Sequence, residues 1–230
     1  MSLLVHLPLT GNLENKGLAN VTVTNNGATV DNNGKIGKCY SFSNNSIMIN
    51  YALPATEHEW SYCCWAKLNN NSETMCLYSS RTSVNSAQRT IFLLDNKGVC
   101  FDDGTRISGT LNTTATLTNW CHYAFSRSSN KINVYVNGSL AFSSSITAFP
   151  SSVSTNTFFG ASQNSNTTVN AFYLAGSLND IRIYDHALSP KEVKELSKGL
   201  VAHYKLDDIG INSNLISSRR SYNPSSYLAY

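Results

Sequence analysis

The side chains able to do chemistry are scattered along this 230-residue chain rather than grouped. Hydrolysis of a sugar linkage takes two carboxyl groups held about 5–10 Å apart, and alternation along one strand is the simplest way to aim both into a cleft. The nearest approach is Glu57-His58-Glu59, which runs into Trp60 with no third acid behind it. Glu192 and Glu195 fall in a helical pattern, where Glu192 reads as a capping residue and Glu195 as a solvated one. Strained serine elbows, phosphate loops and paired zinc histidines have no counterpart here. These residues predict a protein that is not an enzyme.

Ligand and metal chemistry leave fainter marks. The five histidines (His6, His58, His122, His186 and His203) lack ligand spacing, and His122 reads as a hydrogen-bonded framework residue inside a strand. Asp180 could offer oxygen to calcium, the donor that cation takes, or could bond a neighbouring strand instead. No cofactor is required, and calcium would be structural. Asp102-Asp103-Gly104 reads first as a β-turn and second as a contact to a cation or a sugar hydroxyl. A pyranose site needs an aromatic face with planar polar groups around it. Tyr78, Arg81, Arg89, Asp102, Arg106 and Tyr173, all in turn-rich regions, are the candidates.

Six cysteines (Cys39, Cys63, Cys64, Cys76, Cys100 and Cys121) make an even count. A domain this size does not need staples, and adjacent Cys63 and Cys64 must point to opposite faces of a strand. Neither a C-x-x-C pair nor a histidine at zinc-finger spacing accompanies them. They read as reduced thiols acting as small hydrophobes. Six N-x-S/T sequons, beginning at Asn20, Asn44, Asn70, Asn112, Asn137 and Asn166, read as an accident of an Asn-rich chain.

The elements that must carry these residues follow from composition and pattern. Apolar content of 41% supports a core, while only 13% of residues are charged. Abundant Asn, Ser and Thr suit short strands closed by turns and not helices built from Ala, Glu, Lys and Leu. A net charge of +3 without a basic run argues against nucleic-acid binding. No apolar run approaches the ~20 residues of a membrane helix. The opening MSLLVHLPLTGN lacks a basic n-region and is interrupted by His6 and Pro8, which argues against a signal peptide.

Strands are expected at Leu3–Leu9, Lys38–Phe42, Ser46–Tyr51, Glu59–Leu68, Met75–Ser79, Thr90–Leu94, Gly98–Phe101, Trp120–Arg127, Lys131–Asn137, Thr157–Gly160 and Tyr173–Tyr184. Regular spacing between turn clusters is the pattern of a sandwich or jelly roll. In Leu178–Tyr184, alternation puts Ile181 and Ile183 on one face and Asp180, Arg182 and Tyr184 on the other. A short helix follows, with Ser189 as N-cap, Pro190 at its first position and Glu192 completing a capping box.

The stretch GSLNDIRIYDHALSPKEVKEL, Gly176 to Leu196, resembles the closing signature of laminin-G-like, concanavalin A-like jelly-roll domains. The match runs through Gly176, Leu178, Asp180, Ile181, Arg182, Ile183, Tyr184, Asp185, Ala187, Leu188, Ser189, Glu192, Val193 and Leu196. Leu4–Leu9 with Gly11-Asn12, Gly34–Phe42, Trp60–Trp65, Trp120–Tyr123 and Val134–Gly138 are similar to further strands of that family, so the resemblance spans nearly all of residues 3–198. It implies an all-β, two-sheet antiparallel jelly-roll sandwich with one short C-terminal helix. The family's glucanases carry E-x-D-x-x-E on one strand, which this chain lacks. Ser43-Asn44 stands where the family often has Asp-Gly, so a carboxylate that helps hold structural calcium is missing.

Leu200–Leu206 realigns without gaps on Leu3–Leu9, His203 falling on His6. Residues 3–198 therefore read as one domain, and 199–230 as the start of a second repeat, a linker or an interaction tail. The family resemblance implies a non-catalytic lectin-like module that binds cell-surface glycan. The unpatterned cysteines and Asn/Ser/Thr-rich surface fit a phage tail or other virion component, or else a bacterial surface protein. A structural domain that joins virion or surface-protein subunits is the alternative. Tyr222, Tyr227 and Tyr230 in the tail keep it open, with oligomerisation through that tail, because aromatics are enriched at interfaces.

Overall fold

A computed structural model describes residues 2–70, 73–82, 89–94, 97–102, 105–111, 117–146, 152–163, 165 and 167–199, with backbone alone at 94, 101, 102, 105, 170 and 171. The tail and its Leu200–Leu206 echo lie outside the described residues, as does the turn at Asp103-Gly104.

The chain opens with β1 (Leu3–Leu7), β2 (Val23–Asn26), β3 (Thr29–Asp31), β4 (Cys39–Phe42), β5 (Ser46–Ile49) and β6 (Trp60–Leu68). It continues through β7 (Met75–Ser79), β8 (Thr90–Leu94), β9 (Lys97–Asp102), β10 (Thr105–Thr110), β11 (Cys121–Ser128) and β12 (Lys131–Val136). Next come β13 (Ser139–Ser145), β14 (Thr157–Phe159), β15 (Ser162–Gln163), β16 (Val169–Ala171), β17 (Gly176–Tyr184) and the helix α1 (Pro190–Leu196). The first sheet runs β13-β12-β11-β6-β17-β4-β3, with β1 also on β17. The second runs β10-β9-β8-β7-β14-β5-β2, and β15 pairs with β16 alone. Every strand pair is antiparallel, so the expected two-sheet sandwich is the fold.

The inward faces meet in one core. Ile181, Ile183 and Leu178 of β17 join Tyr62, Cys64 and Ala66 of β6 and Tyr123 and Phe125 of β11, against Ile91, Leu93, Cys100 and Ile107 of the second sheet. Cys63 points the other way, as its neighbour relation to Cys64 requires, into a smaller cluster with Ala124, Tyr135, Tyr184, Leu188 and Val193. That cluster is where α1 seals the outer face of the first sheet. Its capping box is present: Ser189 Oγ accepts from the Glu192 N–H and Glu192 Oε2 accepts from the Ser189 N–H. All six cysteines are buried free thiols.

Several strands were not expected from sequence. β2, β3 and β13 carry exposed or half-exposed residues on both faces for much of their length, and β10 offers Ile107 as its one apolar inward residue, so no apolar alternation marks them. Pairing supplies what pattern does not. Gly98 of β9 sits opposite Gly109 of β10, and the Phe142 ring of β13 lies over both: a Cβ on Gly109 would overlap that ring. Bare backbone is what lets β13 of one sheet close over the edge of the other. Gly109→Ala is expected to destabilise by about 1–3 kcal/mol through overpacking, read as a lower urea midpoint, while Gly109→Ala with Phe142→Leu recovers part of the loss.

Candidate functional site

α1 covers the outer face of the first sheet, and on the second sheet the outward-facing residues near the middle are also buried, Phe92 at 4% and Val99 at 2% exposure. Period-two alternation puts Ile91, Leu93, Cys100 and Ile107 inward. It sends Phe92 and Val99 outward, where they form a separate cluster with Cys76. Arg106 and Ser108 of β10 stand exposed on the same side, with Arg106 Nη1 donating to Ser108 Oγ at 3.1 Å.

A chain excursion from Gly160 to Ala175 runs along this face. It is anchored where the Cys76 N–H donates to the Phe172 carbonyl at 2.8 Å and the Leu174 N–H to the Gly160 carbonyl at 2.8 Å. Phe172 adopts φ +53°, a left-handed conformation that bulky residues rarely take and that is retained only where surroundings impose it. Its ring meets Phe92 edge-on at 5.2 Å, and 45% of the residue stays exposed. The result is a fixed aromatic surface facing solvent. Beside it, half-buried Tyr173 donates its hydroxyl to the Val169 carbonyl at 3.3 Å.

Further along β7 the same excursion builds a polar cluster. The Gln163 N–H donates to Ser79 Oγ at 3.1 Å, its Nε2 donates to Ser154 Oγ at 2.7 Å, and its carbonyl accepts from Arg81 Nε at 2.7 Å. Burial pushes the Cys76 thiol up, and the nearby Arg81 cation opposes that rise.

The residues expected at a sugar site are thus divided. Arg81, Arg106 and Tyr173 lie on the outward side of the second sheet. Tyr78 does not: a β-bulge between Cys76 and Tyr78 turns both Leu77 and Tyr78 into the core. Bulges re-aim side chains in this way, and Tyr78 packs on Tyr62 and Phe159 with its hydroxyl donating to Ser80 Oγ. Arg89 is also internal, at 1% exposure. It donates to the carbonyls of Leu53, Pro54 and Glu57 and lies over the Trp60 ring, so it secures the segment leading into β6. Asp102 belongs to β9, but its side chain lies outside the described residues. Phe172, one residue before Tyr173, was not singled out by sequence, because nothing in a local pattern reports a positive φ.

Asp180 sits across the molecule, at a second bulge. β17 shifts register between Asn179 and Arg182, and Asp180 takes φ +53°. Asn179 fills the junction where β17 passes from β4 to β1, donating to the Pro8 and Lys38 carbonyls and accepting from the Ile36 N–H. Asp180 Oδ1 lies 2.8 Å from His6 Nε2, and both carboxylate oxygens accept from Arg182 Nε at 3.0 and 3.2 Å. Burial would raise this carboxyl, but the His6 hydrogen bond and the Arg182 charge outweigh it and hold it below the ordinary carboxylate range. A calcium ion here would have to displace a guanidinium. Among the described residues no group of three or more His, Cys, Asp or Glu side chains is placed to hold a metal.

Glu57 and Glu59 lie in the loop ahead of β6, off the strand expected to begin at Glu59. No alternating strand aims them together. His122 is a framework residue, but a poorly satisfied one: it is 2% exposed, and its Nδ1 is sealed from water without a partner.

Among curated protein sequences none matches the chain. Several solved structures share its fold. The botulinum neurotoxin serotype D binding domain superposes with a TM-score of 0.66 at 13% identity, over 86% of this chain and 52% of that one. The same toxin's ligand binding domain in complex with N-acetylneuraminic acid gives 0.66 at 17% identity, over 86% and 51%. Domain 4 of AbnA, a GH43 extracellular arabinanase from Geobacillus stearothermophilus, in complex with arabinotriose, gives 0.65 at 18% identity, over 85% of this chain and 98% of that one. The chain therefore spans about half the length of the toxin domains and nearly the whole of the arabinanase domain. The profile of the concanavalin A-like lectin/glucanases superfamily (Laminin_G_3) matches residues 42–194. Covering more than half of a chain folded as this two-sheet sandwich, that match establishes that the chain belongs to the concanavalin A-like lectin/glucanases superfamily.

Proposed function

We propose that this chain is a non-catalytic carbohydrate-binding module that recognises cell-surface glycans through the outward face of its second sheet. One observation carries the reading: Phe172, held at a positive φ with its ring braced by Phe92, keeps 45% of its surface in solvent. A flat apolar face held rigid beside polar groups is what a pyranose ring stacks on. Structures of the same fold in complex with N-acetylneuraminic acid and with arabinotriose support it. The absence of an alternating acid pair in the sequence supports binding without hydrolysis. The module is proposed to serve a phage tail or other virion, or a bacterial surface protein. Buried free thiols and an Asn/Ser/Thr-rich sequence suit assembly in a reducing compartment.

A glycan array together with binding to whole bacterial cells tests the proposal. Phe172→Ala is expected to weaken the captured glycan about tenfold, since roughly 1.4 kcal/mol of aromatic contact is lost. Its circular dichroism should stay unchanged, because the ring is half in solvent. Blank arrays and cells would remove the lectin reading.

A groove beside α1 favours a second reading, a structural domain that joins subunits. Tyr184, Leu188, Lys191, Glu192, Glu195 and Leu196 line it, with a volume of about 380 Å³. Concentration-dependent association that Leu196→Glu abolishes would support this role.

A further inference from the structure

α1 packs on the outer face of the first sheet around Cys63 and Ala124, and Lys35 lies over the next outward residue of β6, Trp65, with Nζ 4.7 Å from the ring. One outward position further along, that face meets solvent. Lys67 is exposed there, and Ser41, Ser177 and Trp120 are half-buried. Strand register lines them up. Ser41 of β4 pairs with Ser177 of β17, and Ser177 with Lys67 of β6. Cys121 of β11 pairs with Ala66 and points into the core, which sets Trp120 beside Lys67 on the outward side. The row crosses four strands, roughly 14 Å at the usual spacing. Ser41 and Ser177 keep its floor low, and Lys67 and Trp120 stand at one end.

The turn after β3 makes one bank. Asp31 Oδ1 accepts from the Asn33 N–H and from Asn33 Nδ2, each at 2.8 Å. Ser41 Oγ donates to Asp31 Oδ2 at 3.5 Å and lies 3.0 Å from Ser177 Oγ. Trp120 Nε1 donates to the Asn33 carbonyl at 3.2 Å, so one residue fixes both the indole and the carboxylate. The Asn33 bonds hold Asp31 below the ordinary carboxylate range. An ionised carboxylate only accepts, at about four positions, and the long Ser41 bond leaves Oδ2 able to take a sugar hydroxyl. Lys67 adds a donor, and the two serine hydroxyls donate or accept. An indole face beside such groups suits a sugar. The pitch suits one as well, since strands about 4.8 Å apart match the advance of one pyranose in an extended glycan. The carboxylate in the bank opposes an acidic sugar by like charge.

We propose that Asp31, Ser41, Lys67, Trp120 and Ser177 form a second glycan site, on the sheet opposite Phe172, for a neutral oligosaccharide lying extended across the strands. This rests on the glycan-binding reading and makes the module bivalent, which raises retention on a polymer through effective concentration.

The test uses the three tryptophans of the full chain. Trp60 and Trp65 are 1% and 4% exposed, so Trp120 is the one open to a quencher. Acrylamide quenching is measured with cellohexaose, xylohexaose and mannohexaose, with sialyllactose as the acidic probe, and with every glycan captured on the array. A neutral oligosaccharide is expected to protect the fluorescence, and calorimetry to find two equivalents per chain. Trp120→Ala should leave one equivalent, and adding Phe172→Ala should leave none. Lys67→Ala should weaken the protecting site about tenfold, the worth of one hydrogen bond to a charged group, with the melting temperature unchanged. A captured glycan that binds as one equivalent and leaves quenching untouched would overturn this site while the Phe172 reading stands. Protection by sialyllactose alone would overturn the neutral assignment. A blank array with no protection by any probe would end both readings. If Trp120→Ala fails to fold, Lys67→Ala decides: unaltered protection overturns the site, and weakened protection supports it.

Discussion

Replacing Asp180 by alanine is expected to lower the unfolding free energy by about 3–5 kcal/mol, the range found when one partner of a buried ion pair is removed. Asp180 is 7% exposed, and without its carboxylate Arg182 keeps a charge that burial has already part-desolvated. His6 also loses the acceptor at 2.8 Å. Backbone strain adds to the loss, because alanine tolerates φ +53° less well than aspartate or asparagine. Companion variants separate these contributions. Asp180→Asn keeps the backbone preference and an acceptor, and should lose less than alanine does. Asp180→Gly removes the strain but not the charge imbalance, and should fall between them. Adding Arg182→Met to Asp180→Ala should restore a large part of the stability. Urea denaturation reads all four. A loss below about 1 kcal/mol for Asp180→Ala would show that the carboxylate does not secure this junction.

The Asp180 junction also shows where sequence reading succeeded and where it stopped. The faces of β17 were legible: Ile181 and Ile183 alternate as core residues, and the capped helix after them is written in Ser189, Pro190 and Glu192. What the sequence did not carry was the extra residue at the bulge. Counting by two from Leu178 makes Asp180 an inward residue, yet Leu178 and Ile181 both reach the core because Asn179–Asp180 absorbs the offset. The same failure, on the other sheet, sent Tyr78 inward. Register depends on partner strands, and a one-residue slip reverses every face beyond it.

The candidate site was less legible than the fold, for a related reason. Arg81 and Arg106, read as candidates from turn-rich segments, stand on the outward side of the second sheet. Arg89, eight residues after Arg81, went into the interior because carbonyls of the Leu53–Glu57 segment converge there. Long-range contacts of that kind leave no local trace. Phe172 was hidden by its conformation: in sequence it is one apolar residue between Ala171 and Tyr173, and only the Cys76 and Phe92 contacts turn it outward.

His122 gives the other large expected effect, a loss of roughly 3 kcal/mol of stability as pH falls from about 6.5 to about 4, each pH unit in that window being worth about 1.4 kcal/mol. The imidazole is 2% exposed, and its Nδ1 is sealed without a partner. Its ring packs edge-on against Trp65 at 5.4 Å. Burial is the main cause that lowers its pKa from 6.5 to about 4; the smaller influences of Asp180 and Arg182 oppose one another. In the unfolded chain the ring takes up its proton near 6.5, so between the two values the unfolded state binds more protons than the folded one. Stability from this residue is therefore complete above about 6.5 and is drained as pH drops through the window. Asp180 acts lower down: its carboxyl is held below 3.8, so its contribution is present above that value and fades only on further acidification. The two are separable by pH alone. His122→Phe, which keeps a ring against Trp65 and cannot be protonated, should flatten the urea-derived stability between pH 6.5 and 4 while leaving the steeper loss below pH 4 in place. Proton NMR of the His122 ring supplies a direct check, since an imidazole titrating near 6.5 in the folded protein would contradict the burial argument outright.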